Sequence, residues 1–158
     1  MKMEKPRELA QWLKEEGSGL FMAGEMCNEI EFNGKSLLDL AADIARGLGL
    51  PVAATGNTMR GLRERGIERV GRLMAAEVGA FMRSGWGDPI TAERPSTLLL
   101  LGYSPGVARR LVTAVTDART AVLGPAYVEE ATCSLPDLSV KAWGQYLDEL
   151  AQAVKQGA

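Results

Sequence analysis

Apolar and polar positions follow two recurring patterns along the chain. Short apolar runs at 20–24, 52–54, 97–101 and 120–123 each end at a glycine or within two residues of one, which is typical of strands buried on both faces of a parallel sheet. Between them lie longer segments whose apolar residues recur every three or four positions, the spacing of amphipathic helices. This alternation predicts an α/β fold with a doubly wound, mostly parallel sheet of about four to six strands.

Capping residues mark several of the predicted helix ends. Ser36 with Asp39 three positions later is a capping-box pattern, and Ser104 before Pro105 places an N-cap next to a proline at the first helical position. Ser139 is a further N-cap. The segment 86–89 opens a predicted loop. The predicted helices run from Pro6 to Gly17, from Ser36 to Gly47 or Gly49, from Ile67 to Ser84, and onward from Ser104 and from Ser139.

The stretch LPVAATGNTM at 50–59 predicts a joint between a strand and a helix. Pro51 cannot donate a hydrogen bond to a sheet ladder and therefore suits the start of a strand. Gly56 is expected to take a positive φ in the turn that follows, and Asn57 or Thr58 to cap the next helix. Ligands of parallel α/β sheets bind at the carboxyl ends of strands, beside helix N-termini. This joint is therefore the first place to search for a site.

Glycines and hydroxyl residues at the strand ends support a nucleotide-binding hypothesis. A flavin or nicotinamide dinucleotide would place its diphosphate against backbone N–H groups at the switch point of the sheet. Glycines also end strands where no ligand binds. The motif GxGxxG does not follow the first strand, and Glu25 beside the phosphate position would repel an anion. The candidate residues for binding FAD or a related cofactor are Gly24, Thr55, Gly56, Asn57, Thr58, Gly102 and Ser104.

The residues give little support to catalysis by this chain. It has no histidine to act as a general base, and its two cysteines, Cys27 and Cys133, lie far apart in the sequence. A lone cysteine in an α/β domain usually fills core space, so both thiols are expected to be structural. Glu25, Glu29 and Glu31 are expected to be solvated loop carboxylates, because no divalent-metal motif accompanies them. No catalytic residue and no metal ligand is assigned.

Composition limits the number of domains, the kinds of partner and the cellular compartment that we expect for the chain. Its 158 residues are expected to form one α/β domain over 1–158. The 18 basic and 20 acidic side chains give a net charge of −2, which provides no attraction for nucleic acid or an anionic membrane. The arginines between 60 and 72 are interspersed with glutamates and are expected to form a solvated helix face. Two distant cysteines and the lack of a membrane-spanning apolar run favour a cytoplasmic protein.

Three stretches of the chain, taken together, resemble a known family. These are LPVAATGNTM at 50–59, TLLLLGYSPGVARRLVTAV at 97–115, and the stretch 121–154 that begins AVLGPAYVEEATCSLPDLSV. In this order they look like the epsilon subunit of the archaeal-type carbon monoxide dehydrogenase/acetyl-CoA synthase complex. The positions most specific to the resemblance are Ala53-Ala54-Thr55-Gly56, Thr58-Met59, Gly102, Tyr127, Ala131-Thr132 and Leu138-Ser139.

The resemblance implies a Rossmann-like fold similar to the FAD/NAD-binding middle domain of thiamine-dependent enzymes. It also implies a non-catalytic accessory subunit that stabilises the large nickel-iron-sulfur (alpha) subunit in a two-plus-two assembly. An iron-sulfur cluster takes four cysteine ligands and this chain has two cysteines, so metal chemistry is expected in the partner. The alternatives are a flavin- or nicotinamide-binding module for electron transfer and a free-standing small-molecule enzyme of thiamine-enzyme descent. Trp86, Met59 and Tyr103 are the candidate interface residues.

Overall fold

A computed structural model of the chain describes residues 1–15, 18–87, 90–91 and 93–156. Its centre is a parallel sheet of six strands. The strands are short and mostly apolar because helices cover both faces of the sheet. They are β1 Gly19–Ala23, β4 Val52–Ala54, β5 Val70–Arg72, β6 Thr97–Leu101, β7 Arg119–Val122 and β8 Cys133–Ser134. A separate antiparallel hairpin consists of β2 Glu31–Phe32 and β3 Lys35–Ser36.

The order of strands across the sheet is β5-β4-β1-β6-β7-β8, and each neighbouring pair is parallel. Counted among the six sheet strands alone, this is the order 3-2-1-4-5-6 of the doubly wound Rossmann fold. The chain builds the sheet outward from β1 to β5 on one side and from β6 to β8 on the other. The structure thus confirms the predicted Rossmann-like α/β fold, and it places the switch point between β1 and β6.

Helices form a layer on each face of the sheet. Buried side chains of α1, α2, α3 and α6 pack with Phe21 and Ala23 of β1 in a first core layer. Those of α4 and α5 pack with Leu20 and Met22 in a second core layer. The alternation along β1 follows from the two-residue period of a strand. The helices are α1 Pro6–Glu15, α2 Leu37–Leu48, α3 Gly56–Glu64, α4 Ala75–Ser84, α5 Pro105–Ala114 and α6 Val140–Gln156, and a 3₁₀-helix spans Glu25–Asn28.

Several predicted helix ends are confirmed. Ser36 and Asp39 form a capping box at the start of α2, and Gly49 ends that helix with a φ of 67°. Ser104 Oγ accepts a hydrogen bond from the first turn of α5, at 3.3 Å. Ser139 Oγ accepts one from the first turn of α6, at 3.1 Å. Each cap satisfies a backbone N–H that the helix itself leaves without a partner.

The prediction of a single helix over 67–84 is wrong. The structure places β5 at Val70–Arg72 and begins α4 only at Ala75. In β5, Val70 lies opposite Val52 of β4, so this segment gains its hydrogen bonds from the sheet. A strand of three residues is too short to show a period, and its apolar residues also fit helical spacing.

Two predictions fall on residues outside the described part of the chain, namely the end of the first helix at Gly17 and the loop at Asp88-Pro89. None of the helices that are described is long and apolar enough to cross a bilayer.

Candidate functional site

The switch point of the sheet lies where β1 and β6 end side by side. Gly24 follows β1, Gly102 follows β6, and both are buried. Gly24 N donates to Leu101 O at 2.9 Å. A Cβ added to Gly24 would overlap Gly102 O and lie 2.8 Å from Tyr103 Cδ1. The two main chains therefore touch at the place where open α/β sheets form a ligand crevice.

The 3₁₀-helix Glu25–Asn28 covers this crevice. Met26 N donates to Gly102 O at 3.1 Å, which holds the helix on the end of β6. Cys27 is fully buried, and its Sγ lies 2.5 Å from the position that a Cβ on Gly102 would take. Gly102 has a φ of 89°, a conformation that favours glycine. The chain's own residues thus fill the switch-point crevice.

Both thiols lie in the core, as the structural interpretation expects. Cys27 and Cys133 are both 0% exposed, and they form no disulfide. Burial raises the pKa of the Cys27 thiol to about 12, because the thiolate would lose its hydration at this position. Cys27 Sγ donates to Leu101 O at 3.7 Å. A buried thiol that stays protonated is inert as a nucleophile.

Thr58 is the centre of a buried hydrogen-bond group that joins three elements. Its hydroxyl donates to Gly24 O at 3.3 Å and lies 2.7 Å from Thr55 Oγ1. Asn28 Nδ2 donates to the same Thr58 oxygen at 2.8 Å. With Thr55 as the donor of the 2.7 Å bond, the Thr58 hydroxyl uses its one proton and both lone pairs. The hydroxyls that the dinucleotide hypothesis assigns to a diphosphate are therefore engaged within the protein.

The N-terminus of α3 is open to solvent. The helix begins at Gly56, its N-cap is Thr55, and Gly56 is absent from the positive-φ glycines. The predicted cap at Asn57 or Thr58 and the predicted positive φ are both wrong, because the helix begins two to three residues earlier, after Thr55 in extended backbone. Gly56 and Asn57 are exposed. Arg72 Nε lies 4.0 Å from the position of a Cβ on Gly56, so a cation from the end of β5 stands beside the first turn.

The seven candidate residues divide into two groups. The buried group lies at the crevice and is tied to the 3₁₀-helix or to the neighbouring strand end. The exposed group lies at the N-termini of α3 and α5, and its Ser104 hydroxyl is already used as a helix cap. The buried residues are Gly24, Thr55, Thr58 and Gly102, and the exposed residues are Gly56, Asn57 and Ser104.

Tyr103 also belongs to the crevice, although the sequence marks it only as an interface candidate. The residue is partly exposed, and its side chain packs against the second core layer. Its hydroxyl is buried, and no residue within the described ranges forms a hydrogen bond with it. Burial, and to a smaller extent the neighbouring Cys27, raises the pKa of the Tyr103 hydroxyl. The phenol therefore remains neutral at physiological pH.

Four residues that shape this region are not among the seven cofactor-binding candidates that the sequence indicates. Cys27 and Tyr103 each lie within three positions of a candidate glycine, and that adjacency is the one local signal for them. Asn28 and Arg72 reach the site through the 3₁₀-helix and through β5, neither of which was predicted. Their placement depends on the packing of distant segments.

The three candidate interface residues are each partly buried. The Trp86 ring meets Phe81 edge to face, with centroids 5.8 Å apart, and Trp86 Nε1 donates to Thr91 O at 2.9 Å. Met59 packs against the first core layer. Val140 at the start of α6 is more exposed than any of them, at 62%.

Comparison with known proteins identifies no function, so a functional proposal rests mainly on the geometry of the candidate site. The sequence matches no protein-family model and no curated protein. Within the described parts of the chain, no group of three or more histidine, cysteine, aspartate or glutamate side chains is placed to hold a metal ion.

Proposed function

We propose that this chain is a non-catalytic accessory subunit, of the epsilon type, in a carbon monoxide dehydrogenase/acetyl-CoA synthase complex, where it stabilises the large nickel-iron-sulfur subunit. The observation that carries the proposal is the filled switch-point crevice. In this fold class ligands bind in that crevice, whereas here Gly24, Gly102 and Cys27 pack together within it. A domain that packs its ligand crevice internally is suited to acting through its surface.

The chemistry of the chain supports a role that leaves catalysis to a partner. Cys27 has a pKa of about 12 and is protonated at neutral pH. The chain contains no histidine and two cysteines, which is fewer than the four thiolates of a typical iron-sulfur cluster. The proposed division of labour places the metals in the large subunit and a rigid α/β body in this one.

Trp86 is the residue that we propose for the centre of the partner interface. Its indole N–H is already paired with Thr91 O, so its ring can be covered by a partner without burying an unsatisfied donor. Aromatic residues and methionine are enriched in interface cores, which adds Met59 and Tyr103 to the proposed contact residues. All three are partly exposed in the single chain.

Affinity purification of the tagged chain from its native cell tests the proposal. We expect the large nickel enzyme to co-purify, and carbon monoxide oxidation to be present in the complex and absent from the chain alone. Trp86→Ala should weaken retention of the partner. Trp12→Ala is the matched control, because Trp12 is another half-buried tryptophan. It belongs to α1, and the Arg119 guanidinium lies over its ring. A preparation that contains no nickel enzyme would contradict the proposal.

A second candidate function is a flavin- or nicotinamide-dinucleotide-binding module for electron transfer in the same complex. The observation that favours it is the exposed first turn of α3 beside Arg72. Backbone N–H groups at a helix N-terminus attract phosphate, and a guanidinium adds both charge and directed donors. Gly56 leaves this turn uncovered, since outside its chain neighbours and its own helix backbone no atom of the described residues lies nearer to its Cβ position than Arg72 Nε, at 4.0 Å.

Titration of FAD and of NAD into the wild-type chain tests this second candidate. Gly56→Val places a branched side chain over the first turn, and Arg72→Ala removes the cation, so each should weaken binding by about tenfold or more. Arg69→Ala is the matched control, because it removes the same charge at the opposite end of β5. Circular dichroism checks that each variant is folded. Wild type that stays unsaturated at about millimolar ligand, equivalent to about −4 kcal/mol, would contradict this candidate.

A further inference from the structure

The turn of the hairpin β2–β3 holds an asparagine that is followed by a glycine. Asn33 and Gly34 are the two residues between Phe32 and Lys35, which pair across the hairpin. Both turn residues are exposed, and Gly34 has a φ of 76°. Apart from its chain neighbours, no atom of the described residues lies within 4 Å of the Cβ position of Gly34. The main-chain nitrogen of Gly34 is therefore open to the side chain of Asn33, because glycine has no side chain to shield it.

The other two asparagines of the chain are restrained by the structure around them. Asn28 Nδ2 donates to Thr58 Oγ1 at 2.8 Å. Asn57 lies in the first turn of α3, and the residue that follows it is the buried, β-branched Thr58. By contrast, neither the Asn33 amide nor the Gly34 N–H forms a hydrogen bond with any described residue. Asparagine is a thermolabile residue, and position 33 is where the fold restrains it least.

We propose that Asn33 is a site of spontaneous modification, at which asparagine converts to aspartate and isoaspartate and thereby detaches the hairpin from α6. The Gly34 nitrogen attacks Asn33 Cγ and closes a cyclic imide, and Asn33 Nδ2 leaves as ammonia with the proton of the Gly34 amide. Water then opens the ring at either carbonyl. Opening at Cγ gives aspartate, whereas opening at the main-chain carbonyl gives isoaspartate, whose main chain continues through the side-chain carbon. Neither step oxidises or reduces any atom.

Two side chains next to this turn hold the hairpin on α6. The Phe32 ring meets the Trp143 ring edge to face, with centroids 5.5 Å apart. Its Cδ1 lies 2.5 Å from the position that a Cβ on Gly144 would take, so the ring fills a slot that a glycine of α6 leaves open. Lys35 Nζ lies 3.4 Å from Asp148 Oδ1 of the same helix. Both contacts depend on the register of the hairpin.

Isoaspartate changes that register because it adds one carbon to the main chain of the turn. A loop of two residues fixes which residues pair across a hairpin. Each strand of this hairpin has only two residues, too few to hold the pairing without support from the rest of the protein. The longer turn therefore moves Phe32 and Lys35 away from their partners, and the surface of α6 at Gly144 becomes exposed.

Incubation of the purified chain in mildly alkaline buffer, followed by peptide mass spectrometry, tests the modification. Asn33 should convert at least about tenfold faster than Asn28 or Asn57, because those two positions react only after local opening of the structure. Enzymatic methylation of isoaspartyl groups identifies the isoaspartate fraction. Equal rates at the three asparagines, or the absence of isoaspartate at position 33, would overturn the proposal.

Native-state cleavage by trypsin after Lys35 tests the detachment. Cleavage should be about tenfold faster in the converted protein than in the fresh protein, relative to cleavage after Arg110 of α5, which reports general opening. Asn33→Gln, incubated in parallel, is the matched control, because its longer side chain keeps the amide but closes the imide ring poorly. It should show no gain. Fresh Asn33→Asp carries the charge without the longer main chain and should also show none.

Three results of the cleavage experiment would overturn the detachment. One is an unchanged rate after Lys35 in the converted wild type. Another is an equal gain in incubated Asn33→Gln, which would assign the gain to some other change during incubation. The third is an equal gain in fresh Asn33→Asp, which would assign it to charge instead of to the longer turn.

Discussion

Neither Gly24 nor Gly102 has room for a side chain. The ends of β1 and β6 lie against each other, and Cys27 packs on Gly102. A Cβ on Gly24 would overlap Gly102 O, and a Cβ on Gly102 would lie 2.5 Å from Cys27 Sγ. Gly102 also has a φ of 89°, which side chains disfavour. Since Gly102 O is main chain, relief of the first overlap requires β1 and β6 to separate. Close packing at Gly24, and close packing together with a positive φ at Gly102, therefore account for the two glycines.

Gly24→Ala should lower the free energy of unfolding by about 1–3 kcal/mol, the usual cost of overpacking a core. Gly106→Ala is the matched control, because Gly106 lies on α5 near the same edge and, apart from its chain neighbours and its own helix backbone, no atom of the described residues lies within 4 Å of its Cβ position. That control should be as stable as wild type or slightly more stable, as helical glycine-to-alanine changes generally are. Urea titration followed by circular dichroism gives both values. Equal stability of Gly24→Ala and wild type would contradict the close contact.

Cys27 should make folding stability decline in alkaline solution. Its pKa is about 12 in the folded chain against an ordinary 9.0, so the folded state keeps the proton at a pH where the unfolded state releases it. The stabilising contribution is complete below about pH 9 and is lost as the pH rises through about 12. Between about pH 8 and about pH 10, wild type should lose on the order of 1 kcal/mol more unfolding free energy than Cys27→Ala. Parallel losses in urea titrations of the two proteins would contradict this.

At the scale of elements, the hydrogen bonds of Thr58 attach the 3₁₀-helix to α3. Asn28 is the last residue of that helix, and its amide reaches Thr58 from outside the core. Thr58 in turn reaches Gly24 O at the end of β1. This group therefore holds in place the segment that covers the crevice.

Thr58→Val tests that attachment, because valine has nearly the shape of threonine and no hydroxyl. The change removes the hydrogen bonds of the Thr58 hydroxyl to Gly24 O, to the Thr55 hydroxyl and to the Asn28 amide, so it should cost about 1–3 kcal/mol of unfolding free energy. Thr113→Val, at an exposed position on α5, should change it by less than about 0.5 kcal/mol. Urea unfolding curves of the two variants measure the difference, and similar curves would count against the role of Thr58.

Most elements could be predicted because their signals are local. Apolar runs indicate β1, β4, β6 and β7, and caps at Ser36, Ser104 and Ser139 mark the starts of three helices. By contrast, β5 takes its conformation from pairing with β4, and its three residues carry no period of their own. The 3₁₀-helix is likewise held by Gly102 and Thr58, which lie far away in the sequence.

At the scale of the whole molecule, the sequence predicts which edge of the sheet holds the candidate residues. It does not predict that side chains of the protein fill the crevice at that edge. Parallel strands end at a common edge, so residues that follow β1, β4 and β6 converge there whatever the details of packing. The filling of the crevice by Cys27 and Tyr103 depends on the strand order and on rotamers. The approach of Arg72 to α3 depends on a strand that has no sequence signature. These are consequences of tertiary structure.

Reconstitution with the large nickel-iron-sulfur subunit tests the proposed accessory role most directly. The two purified proteins are mixed at about micromolar concentration and analysed by size-exclusion chromatography with light scattering. The proposed function predicts a single species that holds two copies of each subunit, in which carbon monoxide oxidation survives heating longer than it does in the large subunit alone. Two separate peaks, with the heat resistance of the large subunit unchanged, would contradict it.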